Sequence, residues 1–252
     1  GSVASPLVVN KAVIVPVGGT NSGGIVAFAR SDGEVLWQVT NEKASASSPV
    51  LATIGDKAQV LVVTRTALHS LDPDTGQDYW RWPTRHQSSG NVYAASPVVS
   101  GDSLFLSGWY RLGADLLRVS DGKPQVVWHS DDAISTHYAS AVIFENHIYG
   151  FHGHAWERGG PSLRCVELAT GKLAWEQSQN GSGTIVRCGK NLLILYDTGE
   201  LHLIDANPKA FKSKARMQVV GRTTRNYPAV VDGFAYVKGP KKLVCVDLRP
   251  SP

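Results

Sequence analysis

His152-x-His154, with Glu157 just beyond it and His137 upstream, is the group of side chains in this 252-residue chain best suited to chemistry. Neutral imidazoles and a carboxylate are ligands for zinc or another divalent transition metal, and water on such an ion becomes a hydrolytic nucleophile near neutral pH. Without a metal, His137 or His152 is a candidate general base, and Arg225 or Arg111 would hold an anionic ligand. Either arrangement would make the chain a hydrolase of small esters, lactones or phosphoesters. The same loop also reads as a polar, Gly-rich surface segment whose histidines hydrogen-bond locally. A second group, Trp109-Tyr110-Arg111 with Trp156, Tyr93 and Arg225, suits recognition of a protein or a small anionic ligand, because aromatic residues and Arg dominate binding hot spots.

These residues are positioned by a repeat of roughly 42 residues. A Ser-Pro element opens the unit at Ser5-Pro6, Ser48-Pro49 and Ser96-Pro97, and degrades to Ser140-Ala141, Gly183-Thr184 and Tyr227-Pro228. Two further apolar runs follow, the second ending in a turn such as Asp32-Gly33, Asp72-Pro73-Asp74-Thr75-Gly76, Asp121-Gly122 or Thr170-Gly171. Trp37, Trp80, Trp128 and Trp175 come after the first four of these turns, 43 to 48 residues apart. Each unit holds four short runs rich in Val, Ile, Leu and aromatics, and Asp-Gly or Thr-Gly supplies the positive φ that a hairpin needs. No 3.6-residue period is sustained. The expected fold is all-β, a β-propeller of about six four-stranded blades in one domain. The blades span 3–40, 46–83, 93–130, 138–178, 182–219 and 223–249, the last apparently incomplete after its third strand. Each Trp is expected to pack on the turn of the adjacent blade.

The pattern Leu68…Asp72…Thr75-Gly76…Trp80 resembles the PQQ-like propeller repeat of quinoprotein dehydrogenases and BamB-like outer-membrane assembly proteins. The resemblance covers essentially the whole chain. It implies an exported, periplasmic or cell-envelope protein, often a binding scaffold; Gly1-Ser2 reads as a cloning remnant, so a signal peptide would already be out of view. Quinoprotein dehydrogenases carry a vicinal cysteine pair and a Glu/Asn/Asp calcium site. Cys165, Cys188 and Cys245 are far apart and no residues match the calcium ligands, so PQQ is not expected. The cysteines read as small buried hydrophobes.

In an up-and-down blade, the entry to strand 1 and the strand 2–3 loop share one face. Most of the histidines, with Arg85, Arg111, Arg158, Arg222 and Arg225, fall there. No apolar run is long enough to span a bilayer as a helix. A net charge of +4 without Lys/Arg runs gives no specific nucleic-acid signal, though it favours anionic ligands. The chain is expected to be a monomer, or a dimer through exposed strand edges if the ring is a fragment.

Overall fold

The computed structural model describes residues 4–18, 23–85, 93–154, 160–178 and 181–249, and every regular element among them is a β-strand. The chain divides into two compact units, residues 1–138 and 139–252.

The first unit holds three four-stranded antiparallel blades. Blade 1 is β1 (Leu7–Val9), β2 (Ala12–Pro16), β3 (Ile25–Ala29) and β4 (Val35–Val39). Blade 2 is β5 (Val50–Ile54), β6 (Lys57–Val63), β7 (Ala67–Leu71) and β8 (Asp78–Pro83). Blade 3 is β9 (Val98–Ser100), β10 (Ser103–Gly108), β11 (Gly113–Ser120) and β12 (Lys123–Ser130).

The second unit holds two more four-stranded blades and a three-stranded sheet. Blade 4 is β13 (Val142–Phe144), β14 (His147–His152), β15 (Ser162–Glu167) and β16 (Leu173–Gln177). Blade 5 is β17 (Gly183–Cys188), β18 (Asn191–Tyr196), β19 (Glu200–Asp205) and β20 (Ser213–Gln218). Blade 6 is β21 (Ala229–Val231), β22 (Phe234–Lys238) and β23 (Leu243–Asp247). The expectation of five complete blades and a sixth with three strands holds among the described residues.

One irregularity recurs in all five complete blades. Between strands 3 and 4 the register shifts by one residue: after Ala27, Ser70, Leu116, Cys165 and Leu203. The residue facing each of these is Trp37, Trp80, Trp128, Trp175 and, in blade 5, Ala215. A bulge leaves one residue unpaired and sharpens the local twist, so the outer strand leaves the ladder at the position of the Trp.

The motif around Asp72 gains a physical account from blade 1. Asp72 Oδ1 accepts hydrogen bonds from the amides of Asp74 (2.9 Å) and Thr75 (2.8 Å), which folds the turn. Gly76 sits at φ 73° against Trp37, where an added Cβ would lie 2.6 Å from the indole. Trp37 Nε1 donates to the Pro73 carbonyl at 3.3 Å, and Trp175 Nε1 donates to that of Asn207 at 2.7 Å. These two indoles do pack on the next blade's turn. Trp80 differs, donating to Gln59 Oε1 of its own blade at 3.1 Å. Blade 3 joins its last strands through Asp121-Gly122 alone, and this short turn lines a cavity together with Trp80.

The core is aliphatic, with Ile14, Ile25, Val60 and Leu71 fully buried where blades 1 and 2 meet. Cys165 fits the expectation of a buried hydrophobe, and burial pushes its thiol up to about 11. Cys188 is half-buried. Cys245 corrects the expectation: it is exposed on β23, which among the described residues has no strand on its outer side.

Candidate functional site

The bulge fixes a second recurring position one step nearer the loop face. There strands 3 and 4 oppose Val26 with Gln38, His69 with Arg81, Asp115 with His129, Arg164 with Glu176 and His202 with Arg216. Four of the five pairs are ionisable, and most of their charges are satisfied locally. His69, 3% exposed, has Glu42 Oε2 at 3.2 Å from Nε2 and Asp78 Oδ1 at 3.1 Å from Nδ1. Glu42 also binds Arg81 at 2.5 Å and accepts from Thr64. Burial pushes the Glu42 carboxyl up, but hydrogen bonds from Thr64, Thr66, His69 and Arg81 outweigh it and hold the group at about 2. His129 lies between Asp115 (2.9 Å) and Asp131 (3.2 Å), with Arg85 3.5 Å from Asp115. Arg164 pairs with Glu176 at 3.0 Å. These histidines and carboxylates act as cross-strand ties that join strands 3 and 4 near the loop face.

Beyond the ties, blade 3 presents a different surface. Residues 109–112 join Gly108 to Gly113, with both Tyr110 (φ 60°) and Arg111 (φ 66°) in the left-handed region. Such backbone costs a side-chain-bearing residue about 1–2 kcal/mol. Leu112 anchors the loop, fully buried against Gly108, where an added Cβ would meet Leu112 at 2.8 Å and Tyr93 at 2.9 Å. The anchor turns Tyr110, 41% exposed, and Arg111 outward. Trp109 and Tyr110 lie 6.4 Å apart, Tyr110 and His137 meet edge to face at 5.8 Å, and His137 meets Tyr138 at 5.7 Å. Four rings thus form a continuous row, half-buried at Trp109 and His137 and open at Tyr110.

The predicted residues divide accordingly. Trp109, Tyr110, Arg111 and His137 come together, although the sequence assigned His137 to a metal or a base rather than to an aromatic row. Tyr93, expected at the loop face, is instead a core residue, 2% exposed and packed with Leu106 and Leu112. Burial pushes its phenol up to about 12.

In the second unit, His152 is half-buried at the end of β14 and His154 is 8% exposed. Glu157, Trp156 and Arg158 lie outside the described residues. Among the described residues, no group of three or more His, Cys, Asp or Glu side chains is arranged to hold a metal ion. Arg225 lines a cavity of about 230 Å³ with Arg222, Asp197, Thr198 and Thr223. The Asp197 carbonyl accepts the Thr223 amide at 2.8 Å and holds this β-branched residue at φ 70°. Burial raises the Asp197 carboxyl above its ordinary value, opposed by Arg225, the Thr198 amide and Arg222. The sequence reading missed Asp197; an Asp in a tight loop facing an Arg-x-x-Arg segment was the available signal.

Antiparallel four-stranded blades, a bulge before a recurrent Trp and an Asp-x-x-Thr-Gly turn define a β-propeller of the PQQ-like type. Comparison with known proteins agrees and goes further: the family described as "Outer membrane protein assembly factor BamB" matches residues 1–153, and the chain belongs to it. It is 22% identical over 200 residues to the outer membrane protein assembly factor BamB of Shewanella oneidensis, covering 74% of this chain and 47% of that protein. The chain therefore spans about half the length of this curated relative. The crystal structure of BamB from Moraxella catarrhalis superposes with a TM-score of 0.72 at 18% identity, over 97% of this chain and 71% of that one. Quinohemoprotein alcohol dehydrogenase from Comamonas testosteroni follows the same fold, with a TM-score of 0.60 and 15% identity over 87% of this chain and 43% of that one.

Proposed function

We propose that this chain is a protein-binding scaffold of the bacterial cell envelope, serving outer membrane protein assembly, and that the blade 3 loop is its contact for a partner protein. Family membership supports the scaffold role. The observation that carries the loop assignment is the left-handed Tyr110-Arg111 pair, with Tyr110 the exposed ring within an aromatic row and the loop anchored by buried Leu112. Strained backbone persists where the surroundings over-determine it, and such residues cluster at functional sites. An exposed Tyr beside an Arg, backed by rigid rings, matches the composition of interface hot spots. The test is photo-crosslinking from position 110 of the full-length protein in its native envelope. Capture of an outer-membrane assembly component from position 110, and not from exposed Val8 at the far end of blade 1, is expected.

A further inference from the structure

Blade 5 breaks the repeat at one position. Where blades 1 to 4 face the bulge with Trp37, Trp80, Trp128 and Trp175, blade 5 has Ala215 opposite Leu203. The indoles of Trp37 and Trp80 are 8% and 7% exposed, and that of Trp37 packs directly on the next blade's turn at Gly76 and Pro73. Ala215 leaves the matching space open. A cavity of about 230 Å³ lies there, floored by Leu193, Leu201 and Leu203 of blade 5 and by Val246 and Leu248 of blade 6. Every residue of β20 is exposed, in contrast to the buried Trp of the matching strands in blades 1 and 2.

The rim is polar and cationic. Arg216 stands beside Ala215, and across the opening Arg249 pairs with Asp247 at 2.8 Å. An apolar floor of this size, walled by leucines and edged by guanidinium groups, is complementary to a flat aromatic ring. The ring would lay one face on the leucines and offer the other to Arg216, since Arg249 already stacks on Phe234 at 4.4 Å, while Asp247 and the guanidinium groups take the flanking peptide amides. The repeat supplies the precedent for the occupant, since the chain's own side chain at this position is an indole in four blades. Departures of a sequence from its own pattern mark functional or strained sites, and this one leaves apolar surface uncovered.

We infer that the Ala215 cavity is a socket for an aromatic side chain, an indole fitting best, supplied by a partner protein. That the ring comes from a protein rests on the protein-binding reading above. The socket itself rests on Ala215 and its walls, far in sequence from the blade 3 loop.

The test titrates N-acetyltryptophanamide and, separately, free indole into the protein with its Leu and Val methyls labelled. Saturable shifts are expected at Leu201, Leu203, Val246 and Leu248, with a dissociation constant in roughly the millimolar range for so small a probe. The amide should bind at least as tightly as indole, because only it presents the peptide groups for the rim. Ala215→Trp should weaken both probes at least tenfold and raise Tm by about 2 °C or more, as a repeat-like indole fills the space. Ala215→Met, a flexible partial filler, should weaken them to an intermediate degree and covers the case in which the larger variant does not fold. Absence of saturable shifts, or shifts unaltered by both substitutions, would overturn the socket. Binding of indole with exclusion of the amide would overturn the side-chain assignment. Tyr110→Ala should leave these titrations unchanged, so the socket and the blade 3 contact succeed or fail separately.

Discussion

The ring of Tyr110 meets that of His137 edge to face, at 5.8 Å and 88°, across two segments 27 residues apart in the chain. His137 thereby backs an exposed tyrosine. The relationship joins the loop that interrupts blade 3 to the segment that leaves it. It also gives a bulky residue a reason to occupy a backbone conformation that favours glycine.

Tyr110→Gly separates contact from strain. Left-handed backbone at Tyr110 costs about 1–2 kcal/mol, whereas an aromatic pair contributes about 0.5–1.5 kcal/mol and less when one ring is exposed. The variant is therefore expected to be unchanged in stability or up to about 1 kcal/mol more stable, while partner affinity falls at least tenfold. Thermal denaturation and equilibrium binding check the two halves. A destabilised variant that still binds normally would reverse the assignment.

Gly76→Ala tests the inter-blade lock. The new methyl would sit 2.6 Å from the Trp37 indole and on backbone at φ 73°. A loss of about 2 kcal/mol or more is expected in urea denaturation. Combining it with Trp37→Ala should cost less than the sum of the two, because the clash disappears with the indole. Full additivity would mean that Gly76 is needed for its backbone alone.

Glu42 gives the fold a pH dependence of definite sign. Its carboxyl is held at about 2 against an ordinary value of 4.5, so the folded state favours the ionised form. That contribution, on the order of 3 kcal/mol, is complete above pH 4.5 and fades as pH falls towards 2. Glu42→Gln should thus be less stable than the parent at pH 7, and the gap should close as the two are compared at progressively lower pH below 4.5. A gap independent of pH would show that Glu42 acts through packing.

The blades were legible in the sequence because turn chemistry and the Trp register repeat, and both are set by short-range geometry. Asp72, Gly76 and Trp37 act through a single turn and its neighbour, so spacing alone reveals them. The cross-strand ties were not legible as such: His69 and Glu42 are 27 residues apart, and nothing local marks Glu42 as the partner. Tyr93 was misplaced for a related reason. It follows a polar segment and reads as a loop residue, yet the backbone exchange of Ser45 Oγ with its carbonyl (2.6 Å) and amide (2.9 Å) turns the ring into the core. The aromatic row was half legible. Trp109, Tyr110 and His137 were singled out and Tyr138 was not, and His137 was grouped with His152 and His154 by residue type, whereas contact groups it with Tyr110 and Tyr138.

The central claim is that Tyr110 faces a partner protein. A photoreactive phenylalanine analogue at position 110 of the full-length protein, irradiated in intact cells, should yield a crosslink to an outer-membrane assembly component. The same analogue at position 8 should not, and Arg111→Glu should diminish the position 110 product. Equal crosslinking from positions 110 and 8, or none from 110 in a protein that remains folded and abundant, would contradict the account.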